Sequence, residues 1–207
     1  MGRFFTSISA LCSRPVDEFL ESALREKGYF PHDEGIRLHL IPDNGRWQTI
    51  HFHVDDGEIS SALIDALLIH SEAVLTLFCF DSDCLLIELE TKEKEESVWV
   101  GEPYDPTHQL KFSLTPEFWQ QAVSDTAAFK KILDGEYTFV EDSLDDLAPL
   151  FGFDVGKVNV TSDELEENPP QNMKSFRFGS DALEADKLFW AWVEKAGAEL
   201  QGKNPAN

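Results

Sequence analysis

Cysteine is scarce in this chain of 207 residues, which has only Cys12, Cys79 and Cys84. An odd number of cysteines without CxxC spacing indicates neither a disulfide framework nor a cysteine-rich zinc site. A reducing compartment is the simplest inference from this usage. The sequence therefore predicts a cytoplasmic protein.

Long apolar runs are also absent, since no segment reaches the ~20 continuous apolar residues that a membrane-spanning helix needs. At the N-terminus, Thr6, Ser7 and Ser9 interrupt a short apolar run, and no small-residue cleavage site follows. We therefore expect neither a signal peptide nor a membrane partner.

The motifs of common enzyme classes are missing as well. There is no GxSxG nucleophile elbow, no glycine-rich phosphate loop and no dinucleotide-binding fingerprint. The sequence accordingly predicts no cofactor and identifies no catalytic residue.

Basic residues are few, because 17 lysines and arginines stand against 39 acids and give a net charge of −22. Such a charge repels the phosphates of nucleic acids and anionic membrane surfaces, and it favours a cationic partner. The alternative is that the charge only keeps the protein in solution.

The acidic residues concentrate in one segment. Residues 134–167 hold 11 acids and a single base, Lys157, so this segment alone carries −10. A focused charge can raise association rates with a cationic protein by ~10 to 10³. We therefore predict a partner-binding surface here, although a solvated loop and helix face would have the same composition. Its candidate residues are Glu136, Glu141, Asp142, Asp145, Asp146, Asp163, Glu164, Glu166 and Glu167.

What the chain does contain is enough apolar and aromatic material for a core, with 42% hydrophobic residues, 16 Phe and 5 Trp. Strands and helices can be assigned from alternation and from i, i+3, i+4 spacing. In order they are a strand at 3–9, a helix at 16–24, a hairpin at 36–54, a helix at 58–70 and strands at 73–80, 84–90 and 98–100. The order predicts an α+β protein with a ferredoxin-like βαββαβ sheet extended by two strands. Helices would cover one face and leave the other more open.

The hairpin register follows from the parity of its apolar residues. A three-residue loop, Asp43-Asn44-Gly45, would pair Leu38 with Ile50 and His39 with Thr49. Gly45 would then take the left-handed position that such loops favour.

On this register His39, His51 and His53 share the sheet face opposite the apolar residues. Three histidines with an open fourth position can bind catalytic zinc. The alternatives are a pH-sensitive or ligand-facing patch and ordinary packed or solvent-facing histidines.

The second half of the chain, residues 105–207, is predicted to be mainly helical, either as a separate domain or packed on residues 1–104. Helices are expected at 115–123, 126–133, 141–151 and after Ser180, with a short strand at 157–161 and an exposed loop at 163–171.

Two stretches carry a resemblance to known proteins. The start MGRFFTS and the segment YTFVEDSLDDLAPLFG, residues 137–152, resemble an uncharacterised family of small acidic bacterial proteins. The resemblance implies no activity and transfers no catalytic residues. In general composition the chain is also similar to immunity proteins that neutralise basic toxins.

Two hypotheses of function follow. The first is a non-enzymatic binding protein, immunity-like or regulatory, that docks a cationic protein on its acidic surface. The second is a small-molecule-binding or metal-dependent enzyme that uses His39, His51 and His53 on the open sheet face. The sequence makes no prediction of oligomeric state.

Overall fold

The computed structural model of the protein describes residues 2–53, 57–101 and 114–180, with only the backbone of residues 57 and 58. Within these residues seven strands form one sheet, in which all neighbouring strands are antiparallel and the order is β6-β5-β4-β1-β3-β2-β7. The strands are β1 (Phe5–Leu11), β2 (Tyr29–Asn44), β3 (Trp47–Phe52), β4 (Ala73–Phe80), β5 (Cys84–Glu90), β6 (Glu95–Gly101) and β7 (Lys174–Ser180).

Six α-helices accompany the sheet in the described ranges. They are α1 (Leu20–Glu26), α2 (Gly57–Leu68), α3 (Pro116–Trp119), α4 (Thr126–Leu133), α5 (Ser143–Phe151) and α6 (Ser162–Glu167). Short 3₁₀ turns occupy Val16–Glu18, Val140–Asp142 and Val155–Lys157. The α+β prediction is confirmed. None of these helices has the length and apolar character needed to cross a membrane.

Helices α1 and α2 cover the first face of the sheet, because their apolar stripes meet the inward side chains of the central strands. One buried cluster joins the two helices to strands β1 to β4 and to β7. Its most enclosed members include Ile8, Leu20, Leu24, Leu38, Leu40, Ile50, Leu63 and Leu67.

The second face is also covered, so the prediction of a more open face is wrong. Side chains from α3, α4 and α5 pack with those of β4, β5 and β6 in a second buried cluster. Trp119, Phe129 and Phe151 form its aromatic centre. The ring centroid of Phe129 lies 5.0 Å from that of Trp119 and 5.5 Å from that of Phe151. Residues 114–158 therefore pack on the sheet instead of standing apart from it.

The hairpin register differs from the predicted one. His39 pairs with His51, Leu40 with Ile50, and Asn44 with Trp47, so the turn has two residues, Gly45-Arg46. The register shifts between Ile41 and Asn44, where Pro42 and Asp43 oppose the single residue Gln48. Proline has no N–H to donate to the ladder and is typical of such a bulge. Gly45 does have the predicted left-handed conformation, with φ +66.

The hairpin tip docks on the helical region. The side chain of Asn44, fully buried, donates to Thr49 Oγ1 (2.9 Å) and accepts from the Asp154 N–H (2.8 Å). A Cβ added at Gly45 would overlap the carbonyl oxygen of Gly152. The positive φ and this close approach both require glycine at position 45.

Several predictions for the second half need correction. Residues 157–161 form no strand, and residues 163–167 of the expected loop belong to α6, whose N-cap Thr161 makes a capping box with Glu164. The predicted helix at 115–123 is shortened to α3, whereas those at 126–133 and 141–151 are present, the latter after a 3₁₀ turn and ended by Gly152. Strand β7 was missed. The helix expected after Ser180 lies outside the described residues.

Candidate functional site

The outer face of α5 carries the densest part of the acidic segment. Asp142, Asp145 and Asp146 are exposed, at the i, i+3 and i+4 positions that share one face of a helix. The apolar residues on the opposite face, Leu144, Leu147, Ala148 and Phe151, are buried in the second core cluster or beside it. The amphipathic pattern of α5 therefore turns its carboxylates to solvent.

The chain before α5 adds an aromatic side chain to this acidic face. Phe139 is 53% exposed, the most exposed of the large hydrophobic residues described. Its position is held because the next residue, Val140, is buried and donates its N–H to the Ser82 carbonyl (3.0 Å). The Tyr137 hydroxyl donates to Asp146 Oδ2 (3.2 Å), which ties this loop to α5.

We call the group Glu136, Phe139, Asp142, Asp145 and Asp146 the α5 acidic surface. Glu136, Asp142 and Asp145 are exposed and make no ion pair with any described residue. Within residues 2–53, 57–101 and 114–180, no basic side chain neutralises these three charges. The surface therefore combines an exposed aromatic ring with carboxylates that lie three to seven residues from it in the chain.

Three other acids of the segment are engaged in intramolecular contacts. Glu141 Oε1 accepts from the Ser82 hydroxyl (2.8 Å) beside the β4–β5 turn. Glu164 binds Arg3 (2.5 Å), and Glu166 forms an ion pair with Arg37 on β2. Because these carboxylates attach the second half of the chain to the sheet, they are less suited to bind a partner.

Glu164 also fixes the start of α6. Its Oε2 accepts from the Thr161 N–H (2.8 Å), and its own N–H donates to Thr161 Oγ1 (3.2 Å). Burial alone would raise the pKa of Glu164, but these hydrogen bonds and the charge of Arg3 lower it. The remaining candidates of α6, Asp163 and Glu167, are exposed on a different helix from the α5 acidic surface.

Two of the three candidate histidines lie side by side, and the third does not join them. His39 and His51 are cross-strand partners on the same face, as predicted, but they are only 2% and 0% exposed. His53 is exposed beyond the end of β3, where it lines a cavity of about 110 Å³ with Phe4, Phe5, Phe52 and residues 161–163. In residues 2–53, 57–101 and 114–180 no group of three His, Cys, Asp or Glu side chains is placed to hold a metal ion.

The two buried imidazoles make structural contacts. His39 Nδ1 lies 3.0 Å from Ser175 Oγ on β7, and its Nε2 lies 3.5 Å from Glu166. His51 Nε2 lies 2.8 Å from the Lys157 carbonyl, an acceptor, so Nε2 carries the proton. Burial lowers the pKa of His39, and it lowers the pKa of His51 to about 4. Both rings link the sheet to the segment that covers it.

His51 is expected to make the protein less stable in acid. The unfolded chain takes up a proton near pH 6.5, whereas the folded ring does so near pH 4, so stability declines as pH falls from 6.5 to 4. Across this window the loss is about 3 kcal/mol, from ~1.4 kcal/mol per pKa unit. Gln in place of His51 can still donate to the Lys157 carbonyl and does not titrate. Denaturant unfolding at several pH values should show a shallower slope for His51→Gln than for the parent protein. An unchanged slope would contradict this assignment.

With this geometry established, the chain can be compared with known proteins. No family model, curated protein or solved structure matches it. The resemblance to small acidic bacterial proteins stays a prediction, and inference about function rests on the arrangement of the residues.

The sequence reasoning named the acids of the α5 acidic surface but missed Phe139. A signal for it was available, because an aromatic residue stood between Glu136 and Asp142 in the most acidic part of the chain. Alternation alone could not separate it from Val140, its buried neighbour. Only the fold determines which of two adjacent apolar residues faces the core.

Proposed function

We propose that this protein is a non-enzymatic binding protein that docks a cationic protein partner on its α5 acidic surface. The observation that carries the proposal is the 53% exposure of Phe139 in a stretch whose exposed acids Glu136, Asp142 and Asp145 form no ion pair with any described residue. Single aromatic anchors dominate the energy of many interfaces, and a rim of charged residues around such an anchor is typical of them.

The chemistry of this surface defines its partner. Phe139 would enter an apolar pocket, and lysines or arginines around that pocket would face Glu136, Asp142, Asp145 and Asp146. Charges at the rim mainly raise the rate of association and set specificity, whereas the buried anchor contributes more of the affinity. Binding should therefore weaken with salt yet keep a salt-insensitive part.

An immunity-like or regulatory role in the cytoplasm agrees with this chemistry. Immunity-like proteins neutralise basic proteins, and the net charge of −22 disfavours nucleic acids as partners. The three cysteines are free, which suits a reducing compartment.

The rival hypothesis, an enzyme with His39, His51 and His53, has less support. It required an open sheet face, whereas His39 and His51 are buried under the second half of the chain. No observation favours catalysis at these residues over the structural contacts that they make.

We also infer that β1 to β4, α1 and α2 follow a ferredoxin-like plan, with β5 and β6 extending one edge and β7 the other. The neighbours β4-β1-β3-β2, all antiparallel, support this inference, as does the packing of both helices on one face. The sequence predicted an extension of the sheet by two strands, β5 and β6, and did not predict the addition of β7.

Neutralising Asp145 and Asp146 on α5, together with Asp142 just before it, is expected to weaken partner binding. The triple variant Asp142→Asn, Asp145→Asn, Asp146→Asn removes three charges from an exposed helix face and should leave the fold intact. A partner captured from lysate at low ionic strength by the parent protein should bind this variant at least about tenfold more weakly, mostly through slower association. Phe139→Ser should instead speed dissociation by about tenfold or more.

A matched control separates local from global charge. Glu26, Glu72 and Glu93 are exposed acids outside the segment, and their combined change to glutamine alters the net charge by the same three units. This control should bind like the parent protein. If it loses as much affinity as the α5 variant, net charge accounts for the binding and the proposed surface is wrong.

A further inference from the structure

Two arginines lie directly opposite each other at one edge of the sheet. Arg37 on β2 and Arg177 on β7 are cross-strand partners, so their side chains point to the same face. Like charges in this arrangement destabilise a sheet. Because the chain has 39 acidic and only 17 basic residues, composition alone favours an acid over a second arginine at the position opposite either one. The pairing suggests a use for two adjacent guanidinium groups.

A concavity adjoins this pair because β2 leaves the ladder just before Arg37. Pro31 and Ile36 both pair with Phe178, so residues 32–35 bulge away from β7. Gly35 passes so close to the Phe178 carbonyl that an added Cβ would overlap it. The bulge leaves a pocket of about 440 Å³, lined by Pro31, His32, Asp33, Arg37, Ser175, Phe176 and Arg177. This volume lies in the range of small-molecule sites.

The contacts of the two guanidinium groups hold them in place without using all their donors. Arg37 pairs through Nη1 with Glu166, and Arg177 Nη1 donates to the Asp33 carbonyl (2.5 Å). A guanidinium has five N–H donors in a planar fork. Contacts with the described residues involve only Nη1 of each group. Both therefore keep donors for an oxyanion.

We propose that this pocket binds a small anionic molecule, whose carboxylate or phosphate group is held between Arg37 and Arg177. Glu166 already pairs with Arg37, and the ligand compensates the charge of Arg177, which forms no ion pair with a described residue. Forked hydrogen bonds from arginine suit both kinds of oxyanion. The site is independent of the α5 acidic surface and takes a ligand of opposite charge.

Titration with two probes tests the site. Inorganic phosphate and succinate are added separately to the full chain and compared with sodium chloride at equal ionic strength, with amide chemical shifts as the readout. We expect saturable shifts at residues 31–37 and 175–177 with phosphate, with succinate or with both, and the stronger probe identifies the class of oxyanion. In Arg177→Gln the apparent affinity should fall about 10- to 100-fold, as for loss of charged hydrogen bonds.

Two further variants and one stability measurement complete the test. Arg25→Gln removes an exposed arginine on α1 and should leave the affinity unchanged. Without a probe, Arg177→Gln should be as stable as the parent protein or more stable, because one of two opposed charges is gone. If Arg177→Gln does not fold, Arg177→Lys keeps the charge, loses the fork and should bind about tenfold more weakly. The proposal is overturned if neither probe exceeds chloride, or if the Arg177 variant that folds binds like the parent protein.

Discussion

Trp47→Ala is expected to lower the free energy of unfolding by about 3–5 kcal/mol, as large-to-small changes of buried aromatic residues do. The indole is fully buried at the hairpin tip, its ring centroid lies 5.6 Å from that of Phe153, and the guanidinium of Arg46 stacks over it. Its Nε1–H donates to the Phe151 carbonyl at the end of α5 (2.8 Å). Removing it leaves a cavity and a buried carbonyl without its donor.

Denaturant unfolding followed by circular dichroism measures this effect. Ile69→Ala is the control, because Ile69 is a large apolar residue that is 45% exposed, and its loss should change stability by less than about 0.5 kcal/mol. The loss of stability in Trp47→Phe should lie between the losses in Trp47→Ala and Ile69→Ala. A loss below about 1 kcal/mol for Trp47→Ala would mean that the hairpin tip does not dock on the helices as described.

Glu96→Gln is expected to cost a comparable amount at neutral pH and to change the acid stability of the protein. Glu96 lies on β6 with only 3% of its surface exposed, yet four donors satisfy its carboxylate. These are the Thr115 N–H (2.9 Å), the Thr115 hydroxyl, the Trp119 indole N–H (2.8 Å) and Lys94 Nζ (2.5 Å). A glutamine presents an NH₂ group to some of these donors and leaves them without an acceptor.

The pH dependence follows from the direction of the pKa shift. Burial alone would raise the pKa of Glu96, but the hydrogen bonds outweigh it and lower the pKa to about 2. The folded state therefore holds the proton less tightly than the unfolded chain, whose pKa is near 4.5. The resulting stability is present above pH 4.5 and is lost as pH falls through 2. At ~1.4 kcal/mol per pKa unit it amounts to about 3 kcal/mol.

Unfolding of Glu96→Gln and the parent protein at several pH values between 7 and 2 tests this account. The difference in stability should shrink as pH falls below 4.5, a window distinct from that of His51. Glu93→Gln, an exposed acid on the preceding turn, should follow the parent protein throughout. A constant difference in stability at every pH would show that the ionisation of Glu96 does not contribute to stability.

The local pattern of the sequence was sufficient for most elements of the first half. Alternation and helical spacing located β1, α1, α2 and β4, because each buries one regular face. The alternation of apolar and polar residues also predicted that His39 and His51 lie on one face of the sheet. It predicted Thr49 as the partner of His39, two residues away from the observed partner His51, since Pro42 introduces a bulge that a count of apolar positions does not contain.

Long-range pairing is what the local pattern could not supply. Strand β7 alternates Phe176 and Phe178 with Ser175 and Arg177, yet its seven residues belong to the half of the chain that the sequence predicts to be mainly helical, and its partner β2 is remote in sequence. The placement of Arg37 opposite Arg177 depends on that pairing, so the local sequence could not predict it either. The same holds for Glu96, whose donors on Thr115 and Trp119 lie beyond residues 102–113 in the chain.

The acidic segment illustrates the same limit at the candidate site. Composition located it, but nine candidate acids looked equivalent in sequence. Arg3 and Arg37, which bind Glu164 and Glu166, come from strands or chain ends far away. Tertiary contacts therefore divide the segment into acids that hold the fold together and acids that face solvent on α5.

Hydrogen exchange of the complex between this protein and its captured partner tests the central claim most directly, since it locates the bound surface on the chain. We predict slower exchange in residues 136–149, which contain the α5 acidic surface, and the same exchange as in the free protein at the Arg37–Arg177 pocket. Protection at that pocket or another part of the sheet, with none in residues 136–149, would contradict the proposal that the α5 acidic surface is the docking site.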